Sequence, residues 1–293
     1  MIVRNVTIEN FGAFHHFTCD LTDGVNMIRT READAISYAI RLLLNSRELP
    51  PLPPTWLRAD TRIHARISAG EKDYHVTAAP HTVRKDLTLC IRDDNGSDVT
   101  EEYLYLTSHC AEHDLSEIFE NHAKDGLLRF LKYVSEDQYF SPRELSTRTN
   151  GLSDLKIFRS YLLSYVKNFK PELIRDGKRY ELVLGKDGRY DVTYANGKHT
   201  PVFLSDTEKT LFRYLCFLRT AEFWHGFEEI RNMHGIKKPL LIKNFLERLD
   251  ESVNVDHIMD RTMRLGRQVF LLTPRDRILS STIDEAHTHI TGR

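Results

Sequence analysis

Two short runs near the C-terminus, PLLI (239–242) and QVFLLT (268–273), constrain the fold more than any other feature. Each is apolar without alternation, as expected of a strand buried on both faces, and residues 250–265 between them carry a helical pattern. Strand, helix, strand with both strands buried is the unit of a parallel sheet, so the chain belongs in the α/β class. The same sequence of events occurs near the N-terminus. VNMI (25–28) reads as a buried strand, and a helix is predicted over 33–45 with Ala35, Ile36, Ala39, Ile40, Leu43 and Leu44 as its apolar face. A polar loop joins them, with no glycine and no lysine between Ile28 and Tyr38.

The remaining segments follow other rhythms. IVRNVTIENFGAF and HHFTCDL alternate as two strands around a turn at Asn10–Gly12, and RIHARIS, DYHVTAA and LTLCIRD read as an antiparallel meander turning at Ala69–Gly70 and near Lys85. From Glu101 to about Lys170 the periodicity is helical; YELVLG and YDVTYA then return to strands, and Ser205 or Asp206 is placed to cap a long helix. Three segments result: 1–100, a helical lobe at 101–175, and 176–293.

Composition excludes little. With 41 basic and 42 acidic residues, net charge gives no support to a nucleic-acid or membrane partner. No apolar run approaches the roughly 18 residues of a membrane span. Four scattered cysteines without a CxxC, and no leader-like N-terminus, lead to the expectation of a reduced, cytoplasmic protein.

The order of the pieces resembles the ATPase head of the RecF and SMC-like branch of the ABC superfamily. VTIENFGAF resembles the opening strand and its turn, and GVNMI…ISYAIRLLL the strand and helix around the Walker A loop. LSDTEKTLFRYLCFL resembles the signature motif and its helix, PLLIKNFLERLDES the Walker B strand and D-loop, and QVFLLTP the switch strand. The resemblance implies an α/β head with a mixed sheet around the P-loop-type helix, an antiparallel meander, and a helical lobe in place of a coiled coil. The alternative is an unrelated α/β protein with ordinary buried strands.

A Walker A loop needs glycines for backbone approach to phosphate, a lysine for charge and a hydroxyl for magnesium. On the family's frame the glycine positions fall on Arg29, Glu32 and Asp34, the lysine on Ala35 and the serine on Ile36, with loop length preserved. The Walker B carboxylate that would hold magnesium falls on Lys243, and the one that would position water on Asn244; the switch histidine falls on Pro274 or Arg275. Phosphoryl transfer rests on positioning and charge stabilisation, so losing these groups removes the mechanism. The resemblance therefore implies a pseudo-ATPase with no catalytic residue, cofactor or metal. Two carboxylates stand where phosphate would sit, and Glu32 or Asp34 is expected to pair with Lys243; the alternative is that these side chains point into solvent.

The signature-like stretch Ser205, Asp206, Thr207 and Glu208 lacks only the motif's glycine, and with Asp250 of the D-loop it would form the surface offered to a partner. That partner would be a second ABC-type head, either a copy of this chain or an active ATPase, or another subunit of a complex. A β-branched residue at 207 counts against completing a partner's ATP site, because it hinders close approach to phosphate. Heads of this branch contact DNA backbone, and Arg148, Lys156, Arg159, Lys167 and Lys170 would suit that role; a solvated basic face is the alternative. His109 and His113, with Cys110 and Glu112 nearby, have one half of a zinc spacing and no second ligand pair. Arg219 and His225 have the loose spacing of a HEPN-type ribonuclease, which any long helix can produce. The expected function is thus an inactive head acting as a structural or regulatory subunit in bacterial DNA maintenance or phage defence. A divergent ATPase and, further off, a HEPN-like ribonuclease are the alternatives.

Overall fold

The computed structural model describes residues 1–46, 49–81, 86–108, 172–175, 178–184, 190–193, 199–201, 205, 207–208, 211, 236–249, 256–274 and 287–290. The chain divides into two compact units. One comprises Met1–Ser116, Gly235–Glu247 and Asn254–Arg293; the other comprises Glu117–His234 and Arg248–Val253.

The first unit holds two sheets. Strands β1 (Ile2–Phe11), β2 (Phe14–Asp20), β4 (Leu57–Ala69), β5 (Lys72–Pro80) and β6 (Leu87–Arg92) form an antiparallel sheet in the order β2-β1-β4-β5-β6. Alternation dictates its two faces: Ile63, Ala65, Ile67 and Ala69 of β4 are buried, while Arg62 and Arg66 between them are exposed. The β4–β5 turn is tight because Gly70 takes φ +67, a left-handed conformation that costs glycine nothing. β1 runs through Phe11, and its turn to β2 comes at Gly12 and Ala13, slightly later than the sequence pattern suggests.

The second sheet is parallel throughout, in the order β11-β12-β3-β13, from Leu240–Lys243 (β11), Val269–Thr273 (β12), Val25–Arg29 (β3) and His287–Ile290 (β13). β11 and β12 are buried along their whole length, which explains their unbroken apolar character. Helix α1 (Ala33–Leu43) packs against β4 and β5 of one sheet and β11 and β12 of the other. It is therefore more deeply buried than a one-sided stripe requires. Besides the predicted apolar face, Ser37, Tyr38, Arg41 and Leu42 are also buried. Ile36, Ile40 and Leu43 are fully enclosed, and burying such side chains stabilises by roughly 1.5–3 kcal/mol each. Helix α2 (Thr100–Ser108) packs on β6, and α3 (Asp256–Met263) precedes β12.

In the second unit, β7 (Glu172–Arg175), β8 (Lys178–Leu184), β9 (Tyr190–Thr193) and β10 (His199–Pro201) form an antiparallel sheet in the order β10-β9-β8-β7. β8 and β9 are the two strands read from the sequence. Among the described residues no helix is long and apolar enough to cross a membrane.

Candidate functional site

In open α/β sheets, ligands bind beyond the carboxyl ends of the parallel strands. Here those ends are level. Lys243 of β11 is in register with Leu272 of β12, and Leu272 with Ile28 of β3. Two backbone bonds carry the pairing past the strands, from Asn244 N–H to the Leu272 carbonyl at 3.1 Å and from Thr30 N–H to the Thr273 carbonyl at 2.8 Å. Asn244 adopts φ 55, a left-handed conformation that asparagine tolerates better than most residues.

Lys243 bonds across this edge to Asp34 of α1. Its side chain is only 7% exposed, whereas that of Asp34 is 68% exposed, so a buried ammonium is covered by a carboxylate that faces solvent. Asp34 also lies in the first turn of α1, where the helix macrodipole favours negative charge. A helix N-terminus at this point in an α/β sheet is where an anion would be held. The Asp34 carboxylate lies in this first turn, and the lysine stands opposite it. At the same edge the buried Thr273 hydroxyl donates to a Glu247 carboxylate oxygen.

The connection from β3 to α1 is short, and the helix starts where the sequence pattern places it. Only Thr30, Arg31 and Glu32 separate the two elements, and α1 begins at Ala33, so Asp34, Ala35 and Ile36 are already helical. With no glycine to favour an open loop, residues of ordinary helix propensity let the helix start at once. The turn is closed by the Glu32 N–H on the Thr30 hydroxyl at 2.9 Å and by the Ile36 N–H on the Glu32 carbonyl at 3.2 Å. Glu32 is the N-cap residue and makes no side-chain cap bond; Arg29, at the end of β3, is half-buried.

Ala35 and Ile36 are each 0% exposed. A Cβ on Gly12, in the β1–β2 turn, would come within 3.2 Å of the Ala35 Cβ, and Gly12 has φ +58. Beside this contact Phe11, Tyr38 and Trp56 form an aromatic cluster with ring centroids 5.6–6.2 Å apart. Both positions, Ala35 and Ile36, are thus part of the core.

In the second unit, Ser205 and Glu208 form a reciprocal capping box. The Ser205 N–H donates to Glu208 Oε2 at 2.7 Å, and the Glu208 N–H donates to Ser205 Oγ at 3.2 Å. Ser205 is exposed, Thr207 buried and Glu208 half-buried. The side chain of Asp206 and residue Asp250 lie outside the described residues. So do Arg148, Lys156, Arg159, Lys167 and Lys170, the His109–His113 stretch, and Arg219 with His225. Among the described residues no group of three or more His, Cys, Asp or Glu side chains is placed to hold a metal.

Several participants carry no sequence signal of their own. Thr30, Glu247 and Thr273 are isolated polar residues, and Thr273 is marked only by ending an apolar run.

No protein-family model matches the chain, and comparison with curated proteins finds no match. Solved structures do match. An SMC head bound to the C-winged helix domain of ScpA is 12% identical with a TM-score of 0.50, over 94% of this chain and 91% of that one. The recombination mediator RecF with ATP is 14% identical with a TM-score of 0.47, over 92% and 93%. The SMC head domain from Thermotoga maritima is 12% identical with a TM-score of 0.44, over 99% and 94%. The first of these likenesses shows the fold: a mixed α/β architecture of the kind found in that SMC head.

Proposed function

We propose that this chain, built on the fold of an SMC or RecF head, is a catalytically inactive head that serves as a structural or regulatory subunit of a multiprotein complex. The ion pair between Lys243 and Asp34 carries this reading. A nucleotide site of this type needs an open anion cradle and a carboxylate for magnesium. Here the cradle holds the chain's own carboxylate, and an ammonium, which repels a divalent cation, replaces the magnesium ligand. The buried Ala35 and Ile36 support the same reading, since they have been absorbed into the core.

If the head is inactive, its use lies in assembly. The structurally similar SMC head is bound to a domain of ScpA, which makes a protein partner the natural occupant of a corresponding surface. In this reading Ser205, Asp206, Thr207, Glu208 and Asp250 face the partner, and the basic residues between Arg148 and Lys170 touch DNA backbone. The setting is bacterial DNA maintenance or phage defence. Calorimetry of the full chain with ATP and magnesium tests the central claim. No heat of binding is expected; a micromolar dissociation constant would replace this reading with that of a divergent ATPase.

A further inference from the structure

Two lysines on one stretch of chain hold the two ends of α1. Lys243, closing β11, bonds to Asp34 in the first turn. Lys238, just before β11 and 3% exposed, donates from Nζ to the Asn45 carbonyl at 3.1 Å, beyond the last turn. The lengths match. Five residues of extended chain span about 16 Å at roughly 3.3 Å each. The eleven steps from 34 to 45 span about the same distance at 1.5 Å per residue. Both placements suit the helix: an anion at its positive end, and a cation against the carbonyls at its negative end.

Helix α2 is fastened to that same far end. The Tyr103 hydroxyl donates to the Leu43 carbonyl at 2.8 Å, and Asn45 Nδ2 donates to Thr107 Oγ1 at 2.9 Å. The Thr107 hydroxyl in turn donates to the Tyr103 carbonyl at 2.8 Å. Asn45 sits at φ 49, a left-handed turn that directs its carbonyl to Lys238 and its amide to Thr107. Tyr103 and Thr107 are 0% exposed, so the joint is internal.

We propose that α1 is a rigid coupler through which the edge holding Asp34 and Lys243 controls how firmly α2 is held. The stretch from Lys238 to Lys243 grips the rod at both ends, so freeing the Asp34 end loads the Lys238–Asn45 end, and Asn45 is shared with α2. The exposed carboxylate of Asp34 is the accessible end of this device. The inference stands on these contacts alone and does not require the head to be inactive.

Amide hydrogen exchange on the full chain tests it. Asp34→Asn should speed exchange in peptides covering Thr100–Ser108 by roughly three-fold or more, a coupling within the range found along packed networks. Thr107→Val should in turn speed exchange at residues 33–38. Asp260→Asn, which breaks the exposed pair between Asp260 of α3 and Arg264 just beyond it, should leave α2 unchanged. Faster exchange confined to residues 30–38 in Asp34→Asn would overturn the proposal. So would a uniform rise that includes β4 and β5, because that is general loss of stability and not coupling.

Discussion

Placing a serine or a lysine in the first turn of α1, where the proposed reading puts lost nucleotide ligands, should damage the protein instead of creating a nucleotide site. The clearest case is Ile36→Ser. Ile36 is 0% exposed and among the largest fully buried side chains. The change removes three carbon atoms from an enclosed site and installs one hydroxyl. At about 0.8 kcal/mol per buried carbon the transfer loss alone is roughly 2.4 kcal/mol, and a cavity adds to it. The hydroxyl can bond back to a carbonyl in the preceding turn, which limits its own burial cost to about 1–2 kcal/mol. The expected destabilisation is about 3–5 kcal/mol, a large part of the roughly 5–15 kcal/mol that holds an ordinary domain together. Ala35→Lys adds an ammonium to a fully enclosed position beside Gly12, where neither its volume nor its charge fits. Urea unfolding followed by circular dichroism measures the loss; with slopes of about 1–3 kcal/mol per molar, the midpoint for Ile36→Ser should fall by about 1 M or more. A variant carrying Ile36→Ser that keeps the parent's midpoint and binds ATP with magnesium would show that this side chain faces a site and not the core.

Two further outcomes are expected. Asp34→Asn should destabilise by about 1–2 kcal/mol, because it strips the carboxylate from a buried ammonium, discounted for the exposure of the Asp34 end. Lys243→Met, which puts an apolar side chain in place of the buried ammonium and leaves the Asp34 carboxylate in solvent, should cost less than Asp34→Asn; the reverse order of effects in thermal or urea unfolding would refute this account of the pair. Ser205→Arg should cost at most about 1–2 kcal/mol through the lost cap, while abolishing recovery of a partner encoded by a neighbouring gene. Equal recovery with and without the substitution would mean that the capping box serves the helix alone.

How much of this was legible in the sequence depends on whether a residue belongs to a pattern. β11 and β12 could be read because both faces are buried and no polar residue interrupts them; β4 and β5 could be read from strict alternation. β13 (HTHI) was not foreseen, since four residues with two histidines carry neither rhythm. The start of α1 at Ala33 was legible, because the apolar period begins there. The depth of its burial was not, because a one-sided apolar stripe gives no sign that Ser37 and Arg41 would also be enclosed. The link between Lys243 and Asp34 spans 209 residues, and only the family's arrangement of strands suggested it. No such frame exists for Lys238 with Asn45 or Thr273 with Glu247. Single polar residues have no period, and their partners are chosen by tertiary packing.

The position of β3 in its sheet also fixes when this protein can finish folding. Its two neighbours are β12 and β13, so it has no strand to pair with until residue 269 exists. At about 5–20 residues per second, a ribosome needs roughly 12–50 s to travel from the end of β3 to β12. Hairpins such as β1–β2 form in about 1–10 μs and can close as soon as they emerge. During translation the antiparallel sheet can therefore assemble early, while β3 and the side of α1 that faces β11 and β12 wait uncovered for about 12–50 s. A nascent chain of this topology depends on whatever shelters hydrophobic segments at the ribosome, and truncation before β12 would leave β3 permanently without a neighbour.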